Sequence, residues 1–166
     1  MTIKVGDRLP DGQLQEFIDV ETEGCALGPN TFSVGEITKG KKIVIFGLPG
    51  AFTPTCSAKH VPGYVEKYEA LKAKGVDEVW CLSVNDAFVM GAWGRDQKTG
   101  TKVRMMADGS GEFTKKLGLE VELPGMGLRC RRFSMFVDNG VVKSLNLEEP
   151  RKFEVSDAAT MLKQVA

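Results

Sequence analysis

A chain of 166 residues, 42% hydrophobic and 27% charged, can build a core without disulfide or metal staples and has the balance of a soluble globular domain. Its 22 basic and 22 acidic residues cancel, which leaves no basic footprint for nucleic acid and no polybasic patch for a membrane. The start, Met1-Thr2-Ile3-Lys4-Val5-Gly6-Asp7, lacks the apolar core of a signal peptide, and no run reaches the roughly 18 apolar residues of a membrane helix. Four cysteines at positions 25, 56, 81 and 130 form neither a metal-binding spacing nor a disulfide framework, so a reducing cytoplasm and a single domain over residues 1–166 are expected.

Strand and helix patterns alternate along the chain. The first 40 residues, rich in Gly, Pro and polar residues, read as loops with short strands. Lys42 to Gly47 is a buried strand. After Pro62, Tyr64, Tyr68 and Leu71 recur at helical spacing, with Gly75 as a stop. Glu78 to Val84 is a second strand, Asp86 to Asp96 a helix, Val103 to Ala107 a strand and Gly111 to Leu117 a short helix. Arg131 to Val137 and Val141 to Leu147 flank Asp138-Asn139-Gly140, and Asn-Gly is a hairpin signal. Ser156 is the expected cap of a last helix carrying Ala159, Met161, Leu162 and Val165. Such alternation predicts an α/β fold: a central mixed β-sheet with helices on both faces.

Chemistry concentrates at Cys56. It follows the apolar run Ile43-Val44-Ile45-Phe46 within Pro49-Gly50-Ala51-Phe52-Thr53-Pro54-Thr55-Cys56-Ser57. Thr53 is the expected N-cap of a helix and Pro54 its first residue, where a missing N–H costs nothing. Cys56 then lies in the first turn, where free amides and the helix dipole favour an anion, and the thiolate is the reactive form of a cysteine. The plain alternative is a small apolar residue packed at a strand–helix junction.

These residues resemble the active-site signature of the peroxiredoxins, P-x-x-x-T-x-x-C, carried here by Pro49, Thr53 and Cys56. His60, Pro62 and Gly63, the stretch Cys81-Leu82-Ser83-Val84-Asn85-Asp86-Ala87-Phe88-Val89, Trp93-Gly94 and Arg132-Phe133-Ser134-Met135 extend the likeness to the peroxiredoxin 5 and plant type II subfamily. Thr55 departs from it, standing where relatives carry Gly. The resemblance implies a thioredoxin-like fold and a thiol peroxidase that reduces hydrogen peroxide and alkyl hydroperoxides through a sulfenic acid on Cys56. It needs no metal, haem or flavin.

The same resemblance implies the roles around the nucleophile. Pro49 shields the cysteine, and the Thr53 hydroxyl bonds the thiolate and the incoming peroxide. Arg132 favours the thiolate and donates to the peroxide oxygens. Period two places Arg132 with Cys130 on one face and Arg131 with Phe133 on the other. His60, the single histidine, falls one helical turn after Cys56 and reads as a helix-face residue bonding locally.

How the sulfenic acid is reduced stays open in the sequence. Cys81 matches a second cysteine of plant relatives, and Cys130 is the other candidate resolving thiol; Cys25 reads as incidental. Residues 148–166 contain no cysteine where some relatives place a resolving one. That favours a one-cysteine cycle served by glutathione and glutaredoxin, with thioredoxin the alternative, and the resemblance implies a homodimer. Two other classes compete: a thiol–disulfide oxidoreductase, which Thr53 disfavours by occupying the first position of a C-x-x-C, and a redox-sensing module without turnover.

Overall fold

The computed structural model describes residues 1–19 and 27–165. Cys25 lies outside the described residues. The described residues form a seven-stranded mixed sheet and a separate two-stranded hairpin. Strands β1 (Gln13–Ile18), β2 (Gly28–Ser33), β3 (Lys42–Gly47), β4 (Glu78–Ser83) and β5 (Val103–Ala107) come first. They are followed by β6 (Glu120–Leu123), β7 (Gly127–Cys130), β8 (Phe133–Asp138) and β9 (Val141–Leu147). The helices are α1 (Val34–Ile37), α2 (Val61–Ala73), α3 (Ala87–Gln97), α4 (Glu112–Leu117) and α5 (Ala158–Gln164), and a π-helical turn, Cys56–His60, runs directly into α2.

The large sheet runs β2-β1-β5-β4-β3-β8-β9. β3 pairs parallel with β4 and β4 with β5, while β8 lies antiparallel against β3. The Ile43-Val44-Ile45-Phe46 run is therefore central and buried on both faces, as its unbroken apolarity predicts. Alternate residues of each strand feed two separate cores. Val44, Phe46, Val79 and Cys81 join α2, α3 and α5 on one face; Ile43, Ile45, Trp80, Phe133 and Met135 pack with α4 on the other. The sheet is covered on both faces, and its helix–strand order is that of the thioredoxin-like fold.

Two expected boundaries move. β8 starts at Phe133, so Arg131 and Arg132 sit in the break between β7 and β8. Asp157, not Ser156, caps α5, its carboxylate accepting from the Thr160 amide. The hairpin turn follows expectation: Asn139 (φ +48°) and Gly140 (φ +80°) supply the two left-handed residues a tight β8–β9 turn requires. β3 ends in a glycine for a different reason. A Cβ on Gly47 would come within 2.1 Å of the Phe133 ring across the β3–β8 pair. Among the described residues, no helix is long and apolar enough to cross a membrane.

Candidate active site

Where β3 ends, residues 48–53 carry the chain to a new helix. The Ala51 amide donates to the Asn85 side chain at 3.0 Å and the Leu48 amide to the Leu82 carbonyl at 3.2 Å, which tie this loop to β4 and its exit. On its other side Arg129 of β7 donates to the Pro49 carbonyl at 3.5 Å and the Val84 carbonyl at 3.3 Å. Phe52, with φ +64°, turns the chain into the helix, which starts at Pro54 as the Thr-Pro pair predicts. Thr53 makes no side-chain cap. Its hydroxyl donates to the Gly50 carbonyl at 2.7 Å, while its own carbonyl accepts from Ser57. With its proton committed, the Thr53 oxygen has only lone pairs left to offer a ligand.

Cys56 opens the π-helical turn, in which the Val61 amide reaches back five residues to the Cys56 carbonyl. Pro62 has no N–H to continue the ladder, and the wide turn absorbs the interruption just before it. Such turns concentrate at functional sites. The thiol is fully buried, and Nη2 of Arg132 donates to its sulfur at 3.1 Å.

The other half of the Arg132 fork reveals a partner that the sequence reading missed. Nη1 donates to Nδ1 of His60 at 2.8 Å, and the guanidinium carbon lies 5.8 Å from the centre of the Phe153 ring. A guanidinium has no acceptor, so Nδ1 is unprotonated and Nε2 carries the hydrogen that reaches the Ser156 carbonyl at 3.1 Å. Burial, and then the charge of Arg132, push the imidazole down to about 3 against the opposing pull of the Ser156 carbonyl. A neutral His60 thus bridges Arg132 to the C-terminal segment.

That segment is itself clamped. Glu148 accepts from the amides of Glu154, Val155 and Ser156 at 2.8–3.0 Å and from the Ser156 hydroxyl at 2.7 Å. Burial works against its ionisation, but these donors outweigh it and hold the carboxyl below the ordinary range. The Glu148 amide also donates to the Arg132 carbonyl at 3.0 Å. Tyr64 donates to the same Ser156 carbonyl at 2.8 Å and stacks on Phe46 of β3. A continuous set of contacts therefore runs Glu148–Ser156–His60–Arg132–Cys56. The lone histidine one turn after Cys56 was the only signal for it in the sequence.

The remaining candidates are placed as follows. Pro49, Thr55 and Arg132, the last bonded to the buried thiol, line a cleft of about 570 Å³ together with residues of β6 and of the 148–153 segment. Arg131 also lines it, which corrects the expectation that Arg131 faces away from Arg132. Alternation fails here because no strand runs through the two arginines. Cys130 likewise does not share a face with Arg132. It packs with Phe133 in the core on the opposite side of the sheet from Cys56, whereas Cys81 shares the Cys56 core. Both thiols are fully buried and free, and burial pushes both well up from the ordinary thiol range. No cluster of three or more metal-binding side chains occurs among the described residues.

Known proteins share the sequence and fold of this chain. Residues 4–162 match the family model described as Redoxin. The chain is 50% identical to Peroxiredoxin-2B of Arabidopsis thaliana over 97% of each protein. The crystal structure of reduced Prx3 from Vibrio vulnificus in complex with H2O2 superposes with a TM-score of 0.91 at 46% identity, covering 99% of this chain and all of that one. An X-ray crystal structure from Burkholderia cenocepacia gives 0.99 at 64% identity over 100% of this chain and 99% of that one. A family match over residues 4–162 and identity near one half along the whole chain place it in the peroxiredoxin family, whose members are thiol-dependent peroxidases with an antioxidant role.

Proposed function

We propose that Cys56 is the peroxidatic nucleophile and that Arg132, Thr53 and Pro49 serve it in reducing hydrogen peroxide and alkyl hydroperoxides. The observation that carries this reading is the 3.1 Å hydrogen bond from Arg132 to a buried sulfur in the first turn of a helix. The guanidinium sets a charged, fixed donor against the sulfur that attacks. The thiolate attacks the terminal oxygen of the peroxide and the O–O bond breaks. Oxygen and its hydrogen stay on sulfur as a sulfenic acid, and the other oxygen leaves as hydroxide or alkoxide and takes a proton to become water or alcohol. Arg132 stands beside the bond that breaks and stabilises the charge developing on the leaving oxygen. Thr53, its proton held by Gly50, accepts the peroxide O–H and orients it. Pro49, on the wall of the cleft, limits water at the sulfur.

The sulfenic acid is reduced by an external thiol, glutathione with glutaredoxin ahead of thioredoxin. Burial holds Cys81 and Cys130 as thiols rather than thiolates, which supports an external reductant over a resolving cysteine of this chain. The protein works as a homodimer by resemblance and in the cytoplasm by its cysteine usage. The test is steady-state peroxide consumption with each reducing system, for wild type and for Cys56→Ser, Cys81→Ala and Cys130→Ala. Only Cys56→Ser should abolish turnover, with glutathione trapped on Cys56 as a mixed disulfide visible by mass. A stoichiometric Cys56–Cys81 or Cys56–Cys130 disulfide after one equivalent of peroxide would overturn the one-cysteine cycle.

A further inference from the structure

Two kinds of surface meet in the cleft beside the thiol. Val121, Leu123, Pro150 and Phe153 give it apolar walls, and Arg131, Arg151 and Lys152 bring three cations to it. Among the described residues, none of these three side chains makes a hydrogen bond, an ion pair or a ring contact. Glu148 lines the same cleft and is held ionised, but its oxygens are taken up by the amides and hydroxyl of residues 154–156, and it forms no ion pair with the three cations. Glu149 is the one other acid in the lining.

The cations also sit on a fixed backbone. Arg151 adopts φ +66°, a left-handed conformation that a long side chain enters at a cost, and the surrounding structure must enforce it. The Lys152 amide closes a turn on the Glu149 carbonyl at 3.0 Å, and the Glu148 clamp secures the far end of the segment. Hydrogen peroxide would use neither the apolar walls nor the cations, and at about 570 Å³ the space lies within the range of sites for organic ligands, about 300–1,000 Å³.

We propose that this cleft is a carboxylate-binding subsite. It selects organic hydroperoxides that carry a negative charge on an apolar chain, with Arg131, Arg151 and Lys152 as specificity-determining residues. The inference rests on the peroxidase reading of Cys56 given above. The chain displaces water from Val121, Leu123, Pro150 and Phe153, and the carboxylate meets the cations, while the peroxide end reaches Arg132 and the thiol. A polar thiol with carboxylates, such as glutathione, would answer the cations and leave the apolar walls unused, so a hydroperoxide is the better occupant.

The experiment compares kcat/KM for linoleic acid hydroperoxide with that for its neutral methyl ester, both below their critical micelle concentrations, at low and high salt. The acid should be favoured by about tenfold at low salt, a preference that salt erodes. The double variant Arg151→Glu/Lys152→Glu should bring the acid-to-ester ratio to about one or below, with folding checked by circular dichroism. An acid-to-ester ratio near one in the wild type, or a ratio indifferent to the charge reversal, overturns the subsite. A shift in the glutathione KM without a shift in that ratio assigns the cations to the reductant and also overturns it. Loss of turnover on acid and ester alike in the wild type would instead count against the peroxidase reading itself.

Discussion

Replacing His60 by glutamine tests the protonation state of the side chain that carries Arg132. An amide can still accept from the guanidinium and donate to the Ser156 carbonyl, but it binds no proton. The wild-type imidazole is held at about 3 in the folded chain, against 6.5 for an exposed histidine. Between those values the unfolded chain binds the extra proton, so stability falls as pH falls. The contribution of the neutral imidazole is fully present above 6.5 and is lost towards 3, at about 1.4 kcal/mol per pH unit. From about pH 7 to about pH 5 the loss integrates to about 2 kcal/mol, since part of that interval lies above the unfolded value. Carboxylates with ordinary values near 4 titrate little over it. Urea denaturation at the two pH values should therefore show the wild type losing about 2 kcal/mol that His60→Gln keeps. Equal losses in the two proteins, or a folded imidazole found by nuclear magnetic resonance to titrate near 6.5, would refute a neutral His60.

Two further substitutions probe the rest of the contact set. Arg132→Ala should slow alkylation of Cys56 and peroxide consumption by about tenfold or more, because a hydrogen bond involving a charged group contributes about 1.5–3 kcal/mol. Arg132→Lys should recover part of this only, since an ammonium lacks the planar fork that reaches His60 and Cys56 together; full recovery by lysine would show that the fork is not used. Glu148→Gln turns an NH2 group towards backbone amides that need acceptors. It should cost about 2 kcal/mol in urea unfolding and expose residues 149–155 to proteolysis, and unchanged cleavage of that segment would count against the clamp.

The legible parts of this protein are those in which neighbours in sequence determine the structure. β3 and β5 appear at their expected limits because an apolar run can do little else than enter the sheet, and Pro54 starts its helix because its ring is already in helical shape. The hairpin of β6 and β7 escaped the reading. Its strands are four residues each, and Val121 and Leu123 are apolar because they line a cleft, not a core. At the site, the choice of Arg132 over Arg131 came from the Phe-Ser-Met segment behind it, and its hydrogen bond to Cys56 agrees; the period-two argument offered beside it fails, because the strand breaks between Cys130 and Phe133. Nor does periodicity carry information about His60. Its two bonds reach Arg132, 72 residues away, and Ser156, 96 residues away, and both exist only once β8 and the C-terminal segment have closed over the helix. Glu148 was passed over for the same reason, in a stretch notable at first only for lacking cysteine. The thiol is thus positioned in sequence by its own turn, but the cation that faces it is held in place from the far end of the chain.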